Sequence, residues 1–185
     1  AKVSIDGDLV YRYGKRIDDR KMMAMGSSAK IKHNDVKRGN FSLLRELPAL
    51  FQYSEIINGE KEPCYERDTW LDGIQVMAAR EKEGSYEGLY LAAKGGHNNE
   101  SHNHNDIGQF IVYANGRPVI IDAGVETYTE KTFSEERYNI WTMQSCYHNL
   151  PWVNGIQQAP GEEFCAKDVI YQFSDHHVDF SLELS

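Results

Sequence analysis

Cysteine is scarce in this sequence and forms no recognisable pattern. The 185 residues contain three cysteines, Cys64, Cys146 and Cys165, with no Cys-x-x-Cys spacing. An odd number at wide spacing excludes a small disulfide-stapled scaffold, which needs paired cysteines at short intervals. The redox compartment therefore cannot be read from the cysteines.

Long apolar runs and an excess of positive charge are also missing. No apolar run approaches the roughly 20 residues of a membrane helix, so we expect no membrane span. The net charge is -8 and the pI is near 5.4, which argues against a nucleic-acid surface because such a surface needs clustered Lys and Arg. The same charge repels an acidic substrate on average, so the cations for such a substrate must be concentrated in a cleft or supplied from elsewhere.

The composition is that of an ordinary folded domain. A hydrophobic fraction of 41% and 15 glycines indicate a turn-rich soluble domain, and the length allows one main core with an appendage. The chain starts at Ala1, with neither the charged n-region nor the apolar h-region of a secretion signal ahead of the first folded-looking segment. We therefore interpret it as an internal fragment of a longer protein.

The character of the chain changes near residue 60. Before that point the content of Met, Ala, Leu, Lys and Arg is typical of helices, and the acidic residues Asp18 and Asp19 precede a predicted helix over residues 20–29. A second helix is predicted over residues 42–57. Ser42 would be its N-cap, Pro48 would delay its start, and Gly59 would end it.

After Pro63 the pattern predicts short strands separated by Gly, Asn and Pro. The Asn115-Gly116 pair lies between two apolar runs and is typical of a type I′ hairpin turn. We predict an antiparallel β-sandwich over residues 61–185, preceded by a short helical segment over residues 1–60. The predicted strands cover residues 69–79, 86–93, 108–113, 118–122, 166–173 and 177–184.

Histidines are concentrated in one polar stretch. Residues 95–106 contain three of the seven histidines. In a strand, His102 and His104 would point to the same face, as a metal or substrate site requires. Asp122 at the end of a predicted strand and His148 would add a carboxylate and a nitrogen, the ligand types that zinc accepts. The alternative is a set of solvated loop histidines.

A cupin-like metalloenzyme is the competing interpretation of the His-x-His pair. Cupins place a glutamate three or four residues after the pair, whereas this chain has Gly108 and Gln109 there. The missing glutamate counts against this alternative.

Four segments together resemble the heparinase II/III family of polysaccharide lyases. They are SHNHNDIG at residues 101–108, NGRPVIIDAG at 115–124, Tyr128-Thr129 and Tyr147-His148-Asn149. The stretch YRYGKRIDDR at residues 11–20 resembles the end of that family's helical toroid. The resemblance implies a two-domain enzyme, in which an (α/α) toroid precedes a large antiparallel β-sandwich and the active site lies between them. Residues 1–60 would then be the end of the toroid and a linker, and residues 61–185 the N-terminal part of the sandwich.

The resemblance also implies roles for individual residues. His102 matches the catalytic histidine, while His104, Asp122 and His148 match the ligands of a structural zinc ion. The implied reaction is β-elimination at a uronic acid of an acidic polysaccharide, such as heparin or heparan sulfate. The family's catalytic tyrosine and its carboxylate-neutralising asparagine belong to the toroid and have no counterpart here, so the fragment alone should be inactive. The rest of the parent chain is thus an expected partner, and the family implies a periplasmic or secreted location.

Other polar and aromatic residues are weaker candidates. Tyr128, Arg137 and His97 are predicted to contact substrate, with solvated loop positions as the alternative. Asn103, Asn105 and Asp106 are expected to hold the histidine loop through backbone hydrogen bonds. Aromatic residues in a sandwich usually belong to the core, which is our expectation for Trp141, Tyr147 and Trp152, with a sugar-stacking platform as the alternative. A non-catalytic, zinc-stabilised carbohydrate-binding sandwich remains the main functional alternative.

Overall fold

The computed structural model describes residues 5–32, 43–61 and 65–184. Two compact units divide the chain, Ala1–Tyr65 and Glu66–Ser185. The first unit contains the four described α-helices. The second contains all the described strands and the short 3₁₀ helices. None of the described helices is long and apolar enough to cross a membrane.

Four helices form the described part of the first unit: α1 Gly7–Ile17, α2 Arg20–Lys32, α3 Leu43–Phe51 and α4 Tyr53–Asn58. The Asp6 carboxylate accepts a hydrogen bond from the Leu9 amide and caps α1. The predicted helix over residues 20–29 is confirmed as α2. The prediction of one continuous second helix is wrong, because the helix is interrupted at Gln52 and forms α3 and α4. Pro48 lies inside α3 and does not delay its start. Ser42 lies outside the described residues.

Helices α1 and α2 approach closely at Gly26. A Cβ atom at this position would lie 2.5 Å from the Tyr11 amide nitrogen and 2.7 Å from the Gly7 carbonyl oxygen. Both neighbours are backbone atoms, which cannot turn aside as the end of a side chain can. Tyr11 is only 3% exposed at this contact. Glycine is therefore what allows α1 and α2 to pack at this distance.

The second unit is a β-sandwich of two antiparallel sheets, which confirms the predicted fold class. The first sheet has the order β1-β2-β3-β5-β6 and the second the order β4-β7-β8. The strands are β1 Asp68–Leu71, β2 Val76–Arg80, β3 Leu89–Lys94, β4 His97–Asn98, β5 Phe110–Ala114, β6 Arg117–Ile120, β7 Gly161–Phe173 and β8 Val178–Leu184.

Trp70 connects the two sheets. Its ring stacks on Tyr171 of β7, with centroids 5.1 Å apart and planes 8° from parallel, and it also contacts Phe180 of β8. The Tyr171 hydroxyl donates to Asp68 of β1 at 2.8 Å. Stacking and a part-buried hydrogen bond therefore fix the distance between the sheets at this point.

Two turns determine the hairpins of the first sheet. The predicted type I′ geometry at Asn115-Gly116 is confirmed, because both residues have positive φ angles, 50° and 72°. The prediction of one strand over residues 69–79 is wrong. The chain folds back through a 3₁₀ turn at Asp72–Ile74 and Gln75, whose φ is 50°, so this segment is a hairpin of two strands.

A long connection joins β6 to β7 across the end of the sandwich. It contains four short 3₁₀ helices, Glu130–Phe133, Glu135–Asn139, Trp141–Met143 and Ser145–Tyr147. The side chains of Thr129 and Thr132 form a reciprocal cap at the first of them. Long connections on a rigid scaffold commonly carry functional residues, and this one holds Tyr128, Arg137 and His148.

Candidate active site and metal centre

The His-x-His segment forms a loop and not a strand. It follows β4, which ends at Asn98, and precedes β5, so the alternation of side chains that a strand would give His102 and His104 does not apply. His102 has a φ of 60°, a left-handed conformation that few non-glycine residues adopt. Strand alternation therefore does not bring the two histidines together, and the loop must be held by other contacts.

Buried amides supply those contacts. The Asn103 side chain donates to the Asn98 carbonyl at 2.9 Å and to Asn105 Oδ1 at 3.2 Å, and all three residues are buried. The expectation of a bond to local backbone is confirmed for Asn103, whereas Asn105 holds the loop by accepting from Asn103 and by donating to the distant Gln158 carbonyl at 3.1 Å. Asp106 contributes differently from the prediction, because its carboxylate pairs with Lys94 Nζ at 2.8 Å.

Gln158, near the C-terminal end of the β6–β7 connection, forms hydrogen bonds with the histidine loop. Its Oε1 accepts from the Ile107 amide at 3.0 Å, and its Nε2 donates to the Ile107 carbonyl at 2.8 Å. The side-chain amide thus mimics a neighbouring strand. Sequence reasoning missed Gln158, since neither glutamine of the Gln157-Gln158 pair carries a local signal for such a role.

Arg137 binds the backbone of the histidine loop. Its Nε and Nη2 both donate to the Asn103 carbonyl, at 3.0 and 2.7 Å, and its Nη1 donates to the Thr132 carbonyl at 2.8 Å. Three of the five guanidinium N–H groups are used in this way. Arg137 thus joins the β6–β7 connection to the residue between His102 and His104, and its contact with substrate remains a prediction.

His102 is exposed and pairs with Tyr128. The Tyr128 hydroxyl lies 3.3 Å from His102 Nδ1, and the two rings stack with centroids 5.8 Å apart and planes 23° from parallel. Phe133 packs edge-on against Tyr128 with centroids 5.6 Å apart. The structure thus brings together two residues that the sequence proposed separately, a catalytic and a substrate-contacting candidate.

His104, Asp122 and His148 lie next to one another. His148 Nδ1 is 2.8 Å from Asp122 Oδ2, and its Nε2 is 3.0 Å from the Thr142 carbonyl oxygen. The His104 and His148 ring centroids are 5.4 Å apart. Gln109 also donates to Asp122 Oδ2, and the Gly124 amide donates to Oδ1 at 2.6 Å. These contacts gather residues from the histidine loop and from both ends of the connection.

The environment shifts the pKa of each member of this cluster. Burial works to raise the pKa of Asp122, but the hydrogen bonds from His148, Gln109 and Gly124 outweigh it and lower the pKa to about 2. Burial works to lower the pKa of His148, but the hydrogen bond to Asp122 and the nearby carboxylates raise it. Burial lowers the pKa of His104, and the neighbouring His148 adds to the effect. The shift favours the neutral form of His104, which has a lone pair on its ring.

The chemistry of this donor set fits zinc, although the ligands are not yet in a closed arrangement. Two imidazoles and a carboxylate are accepted zinc ligands. A zinc-binding histidine usually donates its other N–H to a carbonyl or carboxylate, and His148 Nε2 has such a partner in the Thr142 carbonyl. Within the described residues, however, no three His, Cys, Asp or Glu side chains are close enough together to hold a metal ion.

His97 lies apart from these groups in its hydrogen bonding. It belongs to β4, and its Nδ1 accepts from the Asn99 amide at 3.2 Å. Among the hydrogen bonds and ring contacts of the described residues, none joins His97 to His102, His104 or Tyr128. Its contact with substrate remains a prediction.

Comparison with known proteins identifies one family. The family model described as Heparinase II/III-like, C-terminal, matches residues 73–168, a range that includes every candidate residue from His97 to His148. No curated protein matches the chain at a significant level.

Proposed function

The chain belongs to the heparinase II/III-like family, and on that premise we propose that it forms part of a lyase that cleaves a uronic-acid-containing polysaccharide by β-elimination. The family is associated with polysaccharide lyases. The observation that carries the proposal is the exposed pair of His102 and Tyr128, in which His102 lies on a loop fixed by hydrogen bonds from Asn103, Arg137 and Gln158. We propose a glycosaminoglycan such as heparin or heparan sulfate as the substrate.

The reaction needs three groups around one uronate. A base removes the proton at C5, α to the C6 carboxylate, and the electrons form the C4–C5 double bond as the bond from C4 to the departing glycosidic oxygen breaks. The carboxylate must be neutralised to make the C5 proton acidic enough, and an acid must protonate the departing oxygen. The histidine pKa lies close to neutral pH, which suits His102 for proton transfer.

The contact with Tyr128 links the tautomer of His102 to its role. If the ring donates from Nδ1 to the Tyr128 oxygen, Nε2 keeps its lone pair and serves as the base. If the Tyr128 hydroxyl donates to Nδ1, the ring presents Nε2–H to the substrate and stabilises negative charge on the carboxylate. Tyr128 is therefore the residue that would select between base and charge stabiliser at His102.

We also propose that His104, Asp122 and His148 hold a structural zinc ion. A bound zinc ion would join the histidine loop to the β6–β7 connection, and its role would be to organise these segments. His102, two residues from His104, would be positioned indirectly by that junction. The elimination itself is assigned to His102 and to groups supplied by the rest of the enzyme.

The remaining parts of the proposal concern what surrounds this chain. The helical toroid of the parent protein is proposed to supply the tyrosine and the carboxylate-neutralising asparagine. The net charge of -8 means that cations for an acidic polysaccharide must be concentrated locally or come from that region. A periplasmic or secreted location is proposed from the family resemblance.

Product formation by the full-length protein tests the proposal. Heparan sulfate and alginate would be incubated with the protein, and the ultraviolet absorbance of the C4–C5 double bond followed. We expect absorbance to rise with at least one polymer, and His102→Ala to reduce the rate by about 10² to 10⁴-fold, as for loss of a general base. Tyr128→Phe should reduce the rate less, because the ring remains. His176→Ala removes an exposed histidine of the same unit and should leave the rate unchanged.

Two results would count against this function. Binding of polysaccharide without any unsaturated product would favour the non-catalytic carbohydrate-binding sandwich. Equal rates for the parent protein and His102→Ala would remove His102 from the reaction.

A further inference from the structure

Trp141 and Tyr147 form an exposed aromatic pair on the β6–β7 connection. Their ring centroids are 5.3 Å apart and the planes meet at 79°. Trp141 is 44% exposed and Tyr147 is 51% exposed. The expectation that these rings belong to the core is therefore wrong for both. Exposed rings that are fixed by one another are suited to stacking on a ligand, because little side-chain freedom remains to be lost on binding.

Glu126 holds the indole in place. The Trp141 Nε1–H group donates to a Glu126 carboxylate oxygen at the protein surface. This bond and the Tyr147 contact constrain the indole at two points. The same hydrogen bond holds the Glu126 carboxylate next to the indole ring.

A cavity adjoins the indole. Its volume is about 270 Å³, just under the ~300 Å³ at which pockets for drug-sized ligands begin, so it has room for about one sugar unit. The lining combines the apolar residues Ile140, Trp141 and Met143 with polar ones, and its one carboxylate and one ammonium group balance in charge. The residues that matter here are Glu126, Thr127, Thr129, Lys131, Asn139 and Trp141.

The cavity and the candidate reacting pair share one segment of the β6–β7 connection. Thr127 and Thr129 line the cavity, and the residue between them is Tyr128, whose hydroxyl is 3.3 Å from His102 Nδ1. This shared segment is the observation that relates a sugar in the cavity to a uronate placed at His102. In glycosaminoglycans, the neighbour of a uronate is a hexosamine.

We propose that this cavity is a subsite for the uncharged pyranose ring that adjoins the reacting uronate, with Trp141 stacking on the C–H face of that ring. The inference rests on the proposed function, since it assigns one sugar of the same substrate. A uronate is a poorer occupant because its carboxylate would sit beside the fixed Glu126 carboxylate, with Lys131 as the one cation in the lining. Hydroxyl and amide groups of Thr127, Thr129 and Asn139 suit the hydroxyls of a neutral sugar.

Binding of two oligosaccharides by the full-length protein tests this subsite. The first probe is an unsulfated, fully N-acetylated heparan sulfate octasaccharide, in which uronate alternates with uncharged N-acetylglucosamine, and the second is a mannuronate octamer, in which every ring carries a carboxylate. The His102→Ala background prevents cleavage during the titration. We expect Trp141→Ala to raise the Kd for the heparan sulfate probe about fivefold to tenfold, the size of an aromatic contact, and to change the Kd for mannuronate less than about twofold.

Two further variants make the result decisive. Trp152→Ala removes another exposed tryptophan of the same unit, 59% exposed, and should leave both affinities unchanged. Trp141→Phe keeps an aromatic face and should weaken the heparan sulfate probe by less than Trp141→Ala. If Trp141→Ala lowers the melting temperature, the titration is run at a temperature where that variant is fully folded, and a Kd equal to that of the parent would then overturn the subsite.

The failures are distinguishable. If the parent binds neither probe, the proposed function itself fails. If the parent binds the heparan sulfate probe and Trp141→Ala binds it equally well, the subsite alone is overturned. If Trp141→Ala weakens both probes to the same degree, the assignment to an uncharged ring is overturned.

Discussion

His148 Nδ1 lies 2.8 Å from Asp122 Oδ2, and the same ring reaches the Thr142 carbonyl through Nε2 at 3.0 Å. The Thr142 carbonyl can only accept, so the proton of a neutral His148 belongs on Nε2. A neutral ring then turns a lone pair toward the Asp122 carboxylate, which is repulsive unless a cation or a second proton lies between them. Either zinc or an imidazolium proton must therefore mediate this contact.

The zinc content of the protein distinguishes a bound zinc ion from an imidazolium proton at the contact between His148 and Asp122. We expect about one zinc ion per molecule in the purified chain and in His102→Ala, and none in His104→Ala, measured by elemental analysis. Zinc that binds the native state alone stabilises the fold, so chelation should lower the melting temperature of the chain and of His102→Ala. An unchanged melting curve after chelation, and in both His104→Ala and His148→Ala, would contradict the metal assignment.

Gln158 offers a test of how the histidine loop is held. Gln158→Leu removes the hydrogen bonds to the Ile107 amide and carbonyl and leaves both backbone groups without those partners. We expect a loss of about 1 to 3 kcal/mol in the free energy of unfolding, measured by urea denaturation. The neighbouring Gln157 is exposed, so Gln157→Leu is the matched control and should change stability by less than about 0.5 kcal/mol. Equal losses of stability in the two variants would show that the Gln158 hydrogen bonds to Ile107 do not stabilise the histidine loop.

Gly26 tests the packing of α1 on α2. Glycine to alanine inside a helix normally stabilises by up to about 1 kcal/mol. Here the new Cβ would lie 2.5 Å from the Tyr11 nitrogen, so we expect Gly26→Ala to destabilise the first unit by about 1 to 3 kcal/mol, measured as loss of helical circular dichroism on heating. Gly73→Ala, where a Cβ has open space, is the control. A Gly26→Ala variant as stable as the parent would contradict the close approach.

The raised pKa of Tyr171 leads us to expect that the β-sandwich becomes less stable at alkaline pH. Burial, together with the hydrogen bond and negative charge of Asp68, raises the pKa of Tyr171 from 10.0 to about 12. The folded state favours the neutral phenol, so its contribution to stability is complete below pH 10 and is lost as the pH rises toward 12. Unfolding free energies of the parent and Tyr171→Phe should therefore converge over this range.

Ultraviolet titration provides a second measurement of the same group. Asp68→Asn removes the charge but leaves the ring half-buried, so it should bring the late-titrating tyrosine closer to its ordinary pKa without fully restoring it. If no tyrosine of the parent titrates late, or if Asp68→Asn leaves the titration unchanged, the contact between Tyr171 and Asp68 does not have the role described here.

The sequence by itself determined the features that depend on neighbouring residues. Asn115-Gly116 predicted a hairpin because the two positive φ angles of a type I′ turn suit those residue types. The apolar alternation of residues 178–184 predicted β8, since a half-buried strand has a period of two. The chemical types of His104, Asp122 and His148 also predicted a zinc-compatible donor set, because zinc accepts imidazole nitrogens and carboxylate oxygens.

Only the tertiary structure decided which of these residues meet and how. His102 contacts Tyr128 across 26 positions, Arg137 reaches Asn103 across 34, and Gln158 grips Ile107 across 51. A strand would place His102 and His104 on one face, but buried amides and the Arg137 hydrogen bonds to the Asn103 carbonyl hold the segment as a loop. Local periodicity carries no information about such pairs, because their geometry is set by how the β6–β7 connection packs against the end of the sandwich.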